Sequence, residues 1–212
     1  MSIQAKRSGT VIGDEGQPFA RLLPWLLLFS GILGTAAAFV LTVEKIALLA
    51  DDTYVPTCSI NPVLSCGSIM RTDQAEVLGF PNPLMGLVAL PVLAATGAAL
   101  LGGARLARWY WVGLQAGATV GVVFVGWLVF QSLYRIGALC PYCMVVWTVV
   151  IPTFWYLTLT NLTRGHLGTA ARNSRITQVV VRNHAVILTV AYLAIVVLIA
   201  ERFWTYWSTL LG

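Results

Sequence analysis

Apolar residues fall into five long runs, separated by short stretches where charge, proline and glycine collect. The runs cover roughly 22–49, 82–101, 109–134, 140–159 and 184–204. A bilayer hydrocarbon core of ~30 Å needs ~20 helical residues to cross it. The pattern therefore predicts five membrane-spanning helices in an all-α integral membrane protein. Pro24 falls in the first turn of the first run, where a missing N–H costs little. No internal repeat and no soluble domain interrupts the pattern. The expected organisation is an N-terminal tail over 1–20 and a four-helix bundle over 21–160, with a loop at 50–81 between its first two spans. A basic loop over 161–183 and a fifth helix with a short tail over 184–212 follow. Lys6 and Arg7, with the small residues Ala36-Ala37-Ala38, allow a cleaved signal peptide as the competing reading of the first run. That run continues well past the ~7–15 apolar residues of a signal sequence, which favours a retained anchor.

Composition agrees with lipid as the solvent. The chain is 58% apolar and 10% charged, against about 25% charged in a soluble domain. The net charge of +5 is not a nucleic-acid footprint, because the basic residues lie between apolar runs and not on one face with aromatics. They report topology instead. Lys6, Arg7, Arg21, Arg105, Arg108, Arg164, Arg172, Arg175 and Arg182 fall on one side, and Lys45, Arg71, Arg135 and Arg202 on the other. The positive-inside rule then places the N-terminus in the cytoplasm of a multi-pass protein of the cell (inner) membrane, with all four cysteines extracytoplasmic. Trp25, Trp109, Trp111, Trp204, Tyr206 and Trp207 mark span ends, as interfacial anchors do.

Extracytoplasmic space permits disulfides, and four cysteines there allow two structural bridges. A bundle whose backbone bonds are satisfied within each helix has little need of staples. Cys140-Pro141-Tyr142-Cys143 reads as a redox pair at a helix start. Pro141 suits the first turn, with Cys140 at the N-cap, where unpaired N–H groups and the helix dipole favour a reactive thiolate. Met144 follows the second cysteine where a c-type haem site needs histidine. The seven residues between Cys58 and Cys66 are too many for the usual gap between zinc ligands, so no metal is expected. Asn61-Pro62 is expected to cap and start a short helix carrying Cys66, with Cys58 in the preceding coil. A pair on such a loop can meet an external protein on one side and Cys140 on the other.

These residues resemble the vitamin K epoxide reductase family in its bacterial form. The likeness covers about residues 20–160: a spaced pair, Cys58 and Cys66, in the loop after the first span, then Cys140-Pro-Tyr-Cys143 at the head of the fourth. Thr72, six residues after Cys66, and Asn82, entering the second span, also match. The resemblance implies a four-helix bundle around a quinone (menaquinone or ubiquinone), capped by the cysteine loop, with the fifth helix outside it. It implies that Cys58 reacts with a thioredoxin-like (DsbA-like) extracytoplasmic partner, that Cys66 exchanges with Cys140, that Cys143 lies against the quinone ring, and that Asn82 binds the quinone. The chain stops at Gly212 after its fifth span, so the partner is expected to be a separate protein. Trp147 stands where vertebrate members have a tyrosine, which removes any expectation about vitamin K antagonists.

Independently of the resemblance, electrons delivered at a helix head inside a membrane need a lipid-soluble carrier, and a quinone takes two, as a dithiol yields them. The glycine-rich stretches lie within apolar helices and not after strands, so no nucleotide fingerprint is present. The expected activity is a membrane thiol–quinone oxidoreductase. Quinone or quinone-epoxide reduction for recycling, and a non-enzymatic membrane protein with two structural disulfides, are the alternatives. Asn82 either caps the second span or donates to a quinone carbonyl, and Thr72 caps a helix or orders the loop. Phe80, Tyr142 and Trp147 line a quinone pocket or anchor at the interface. Glu44 and Lys45 are expected to snorkel, and His166 and His184 to lie at the surface. Gln115 and Gln131 are expected to form interhelical hydrogen bonds. Gly113-x-x-x-Gly117-x-x-x-Gly121 is expected to pack within a monomer, with a homodimer seam as the other option.

Overall fold

Helix α1, Leu22–Ala50, is unbroken for 29 residues, because no proline follows Pro24 in its first turn before the break at Asp51-Asp52. Asp51 turns extended and returns its N–H to the carbonyl of Ala47. The computed structural model describes residues 19, 21–168 and 174–211. The expected tail over 1–20, apart from Phe19, residues 169–173 of the expected basic loop, and Gly212 lie outside the described residues. After α1 comes a loop holding the short helix α2, Cys66–Met70, and one 3-10 turn, Asp73–Glu76. Helix α3, Pro83–Leu101, opens on proline. Helix α4, Arg108–Phe130, runs on into a π-helical turn, Gln131–Ile136, which Gly137 closes in the left-handed conformation (φ 72°). Helix α5, Pro141–Thr163, also opens on proline. Then come α6 (Arg175–Arg182), α7 (His184–Arg202) and α8 (Trp204–Leu211).

Among the described residues, five helices are long and apolar enough to cross a membrane: α1, α3, α4 with its π turn, α5 and α7. All five predicted spans are therefore present in this multi-pass membrane protein, with ends displaced by a few residues. The fourth runs on to Thr163, and Thr160 and Thr163 return their hydroxyls to carbonyls of the preceding turn. Helix α6, capped by Ser174, lies within the segment expected as a basic loop.

Packing is centred on α1, which lies against α3 and α5, while α4 lies against α5. The α1–α3 crossing is set by small residues. A Cβ on Gly31 would meet the Ala94 backbone nitrogen at 2.3 Å, and one on Gly97 the Leu28 nitrogen at 2.4 Å. Close backbone approach of this kind holds apolar helices together where no hydrophobic force acts between them. The glycine stripe on α4 does not play this part. Gly113 and Gly117 have nothing within 4 Å of an added Cβ, and Gly121 meets only Val150, at 3.8 Å. The intrachain packing expected of Gly113-x-x-x-Gly117 is thus transferred to Gly31 and Gly97.

The last span is mostly exposed on the bundle's outside. Its cysteine-end terminus is tied in. Arg202 Nε donates to the Leu133 carbonyl at 2.7 Å, one of the carbonyls a helix end leaves without an intrahelical partner. Phe203 is buried with Val63, Leu133, Leu139 and Trp147.

Candidate functional site: two cysteine pairs over an apolar cavity

The cysteine loop is shaped by its polar side chains. Asn61 does not start the helix that carries Cys66, as its place before Pro62 suggested. Its Oδ1 accepts from the N–H groups of Val63 and Leu64, closing a turn. Ser65 is the N-cap of α2, accepting from Ser68 N at 3.2 Å. Between turn and cap, Leu64 forms a parallel bridge to Leu139. Leu139 N donates to Val63 O at 2.7 Å, and Ser65 N to Leu139 O at 2.9 Å. This stitch brings the two cysteine-bearing segments together, since Cys66 follows one side of the bridge and Cys140 the other.

Cys58 and Cys66 form a disulfide, with Cα atoms 5.6 Å apart; Cys140 and Cys143 are thiols. Cys66 Sγ lies 3.0 Å from Cys140 Sγ, and both residues are buried. Cys140 is the N-cap of α5, as expected, and its sulfur accepts from Cys143 N at 3.4 Å. A hydrogen bond from the Cys143 thiol, against the opposing effect of burial, holds the Cys140 thiol below its ordinary range. A thiolate is the attacking form in disulfide exchange, and the Cys140 sulfur lies in contact with a disulfide sulfur. The sulfurs of Cys58, Cys66 and Cys140 lie within 4.8 Å of one another. Such spacing also suits a metal, but a metal is held by thiolates, and the bridged Cys58 and Cys66 are not thiolates.

Glu44 and Lys45 do not snorkel: both are 6% exposed. The Glu44 carboxylate accepts from Tyr54 Oη at 2.9 Å, from the Thr57 N–H and from the Thr57 hydroxyl, just before Cys58. Lys45 Nζ donates to the Met70 carbonyl at 2.6 Å, at the end of α2, and pairs with Glu76 at 2.8 Å. Two adjacent charges on α1 thus grip opposite ends of the cysteine loop. Burial is affordable because each charge is bonded several times.

Beneath the sulfurs is a cavity of about 230 Å³, lined almost wholly by apolar atoms and reaching Cys66, Cys140 and Cys143. It exceeds the roughly 150 Å³ of an apolar cavity that takes up benzene, so a six-membered ring has room. Ala89, Gly117 and Val120 belong to its wall and are also exposed on the outer surface of α3 and α4.

Asn82 and Trp147 line this cavity, whereas Phe80 and Tyr142 do not. Phe80 is exposed on the loop before α3, and Tyr142 packs on the cluster of Leu41, Met70 and the cysteines. Asn82 is not a side-chain cap of α3. Its backbone is already helical (φ −52°, ψ −35°), where a cap takes an extended conformation. Its Nδ2 donates to Gln74 O at 2.7 Å and its Oδ1 accepts from Val77 N at 3.2 Å, which closes the loop and leaves one N–H. Thr72 makes no cap either. Its hydroxyl donates to Ile69 O at 2.7 Å, joining α2 to the 3-10 turn.

Among the described residues, two buried side-chain atoms have no hydrogen-bond partner in the protein: Trp147 Nε1 and Gln131 Oε1. Both residues line the cavity. Each such group costs about 1–3 kcal/mol. Sequence reasoning placed Gln131 in a helix contact, and only its position at the start of the π turn takes it out of one. It likewise missed Glu44, Lys45 and Ser65. The pair of adjacent charges closing an otherwise apolar run was the available signal for the first two.

Residues 25–158, more than half the chain and all four cysteines, match the family model described as the vitamin K epoxide reductase family. No curated protein matches the chain.

Proposed function

The chain belongs to the vitamin K epoxide reductase family, and we propose that it is a membrane thiol–quinone oxidoreductase which makes disulfides in a thioredoxin-like partner. Membership, together with two closely spaced cysteine pairs, gives it an enzymatic redox role in disulfide chemistry. The observation that carries the finer reading is the 3.0 Å contact between Cys66 Sγ and Cys140 Sγ, directly above a ring-sized apolar cavity.

The partner's dithiol attacks the Cys58–Cys66 bridge at Cys58 and leaves as a disulfide, giving two thiols on the loop. Cys66 then attacks a Cys140–Cys143 disulfide at Cys140, freeing Cys143. Cys58 resolves the mixed bridge, which restores Cys58–Cys66 and leaves Cys140 and Cys143 as thiols. That is the redox state found here. A quinone supplies a two-electron, two-proton acceptor, so the dithiol's electrons and protons balance and Cys140–Cys143 is re-formed. For this chain's own residues, the reading assigns Trp147 Nε1 and the remaining Asn82 N–H as donors to the ring oxygens. The exposed wall between α3 and α4 suits a ligand that arrives from lipid. By the positive-inside rule the cysteine end faces the extracytoplasmic side.

The test uses purified protein with a reduced thioredoxin-like protein and a set of quinones, followed by quinone absorbance. Quinone-dependent oxidation of the dithiol is expected, and Cys66→Ala, given the disulfide form of the partner, should accumulate partner linked through Cys58. Bridges that stay oxidised, with no mixed disulfide and no quinone consumption, identify two structural disulfides instead.

A further inference from the structure

Two glutamines sit in the third span, and their surroundings differ. Gln115 joins helices: its Nε2 donates to Thr158 Oγ1 at 2.9 Å and its Oε1 accepts from Asn161 at 3.0 Å. Gln131 joins nothing, and its buried Oε1 faces no protein donor. It opens the π-helical turn Gln131–Ile136, a distortion that recurs at functional sites. Here the turn sets Gln131 in the wall of the cavity shared with Cys143 and Trp147.

The two orphaned groups complement each other. An indole N–H is a donor only, whereas a primary amide carries both a donor and an acceptor. The terminal torsion of glutamine is broad and roughly two-fold, so half a turn exchanges its N–H for its carbonyl oxygen. A quinone oxygen is an acceptor only, and a hydroquinone oxygen carries a proton to donate. The hydroquinone oxygen also still accepts, so Trp147 serves either form, whereas a second group that takes up the new O–H must be able to reverse.

On the quinone reading above, we propose that Gln131 is a ligand-binding residue that follows the redox state of the ring, donating through its amide N–H to a quinone carbonyl and accepting through its oxygen from a hydroquinone hydroxyl. No electron passes through it. It keeps the ring's hydrogen bonding complete on both sides of the reaction. The ligand class this selects is a ring with two oxygens, not a hydrocarbon or an ether.

Full-length protein in detergent is compared with Gln131→Met and, as a control, Gln115→Met. A short-chain benzoquinone is titrated into each in a Cys140→Ser/Cys143→Ser background, and its hydroquinone into each with native cysteines under anaerobic conditions. Gln131→Met is expected to weaken both forms about tenfold. It should leave the ligand-free unfolding midpoint unchanged or raise it, because a buried orphan is removed. Gln115→Met is expected to lower the midpoint and leave both affinities unchanged. The proposal is overturned if Gln131→Met leaves both affinities intact, or if its affinity loss comes with a lowered midpoint like that of the control. If the unsubstituted chain binds neither form, the quinone reading itself fails and takes this inference with it.

Discussion

At the end of the bundle away from the cysteines, Asn161 is fully buried and completely bonded. Its Nδ2 donates to Gln115 Oε1 at 3.0 Å, and its Oδ1 faces His166 Nδ1 at 3.0 Å. Gln115 passes the chain on to Thr158, whose hydroxyl donates to the Phe154 carbonyl at 2.7 Å. His166, partly exposed, stacks on Trp111. His184 is likewise packed edge-on against Phe19 and Tyr156. At the cysteine end, Glu44 and Lys45 are as well bonded as Asn161, yet Trp147 and Gln131 are not. Burial and polarity are alike at the two ends; completeness of bonding is what separates them. A closed network adds to stability. An open one gives up stability that a ligand can restore, and that difference marks the site.

The contrast can be broken most severely at the sulfurs. Cys66→Ser or Cys140→Ser should lower partner-driven quinone reduction by on the order of 100-fold or more, because a serine hydroxyl does not supply the thiolate that exchange requires. Stopped-flow quinone absorbance measures this, and retention of wild-type turnover by either variant would show that the sulfur contact is incidental. Asn161→Ala should act in the opposite sense, costing about 1–3 kcal/mol of stability by stranding its buried partners. Turnover per folded molecule should hold. Thermal unfolding in detergent, paired with the activity assay, separates the two quantities.

Trp147→Phe should sharpen the comparison. Loss of one donor weakens quinone binding by up to about tenfold, without the stability loss seen for Asn161→Ala. Equal effects on binding and stability would class Trp147 with the opposite end. The smallest effect is a displaced titration. Cys140 ionises below an ordinary thiol's 9.0, first because the Cys143 thiol donates to it. In a Cys58→Ser/Cys66→Ser background, Cys143→Ala removes that donor, so the pH at which thiolate ultraviolet absorbance appears should move upward. A downward shift or none assigns the lowering to the helix start alone.

The spans were legible because membrane solvent leaves a chain few options: an apolar run of such length must bond within itself as a helix. Cys140 at an N-cap was legible for a similarly local reason, since Pro141 suits the first turn and follows a polar break in the apolar pattern. Other features turned on partners far along the chain. Lys45 is buried because Met70, 25 residues on, offers its carbonyl; the charge pair Glu44-Lys45 in an apolar run marks the place but not the partner. Asn61 read as the cap, but its side chain closes a turn on Val63 and Leu64 and Ser65 caps α2, next to the bridge of Leu64 to Leu139. Gly113 and Gly117 carry the motif of close packing, but no helix packs within 4 Å of a Cβ on either, Gly117 borders the cavity, and Gly31 and Gly97 make the close approach.

Sequence alone determined five helices, their order, and two cysteine pairs placed at one end of the bundle, because each follows from runs and breaks read over a few turns. The resemblance implied that Cys66 meets Cys140, and the structure puts those sulfurs together across 74 residues; only the tertiary structure decided which charges are gripped and which polar atoms are left facing the cavity. Those outcomes depend on how α1, α4 and α5 dock. Docking is set by shape and by hydrogen bonds between distant residues, which no local pattern encodes.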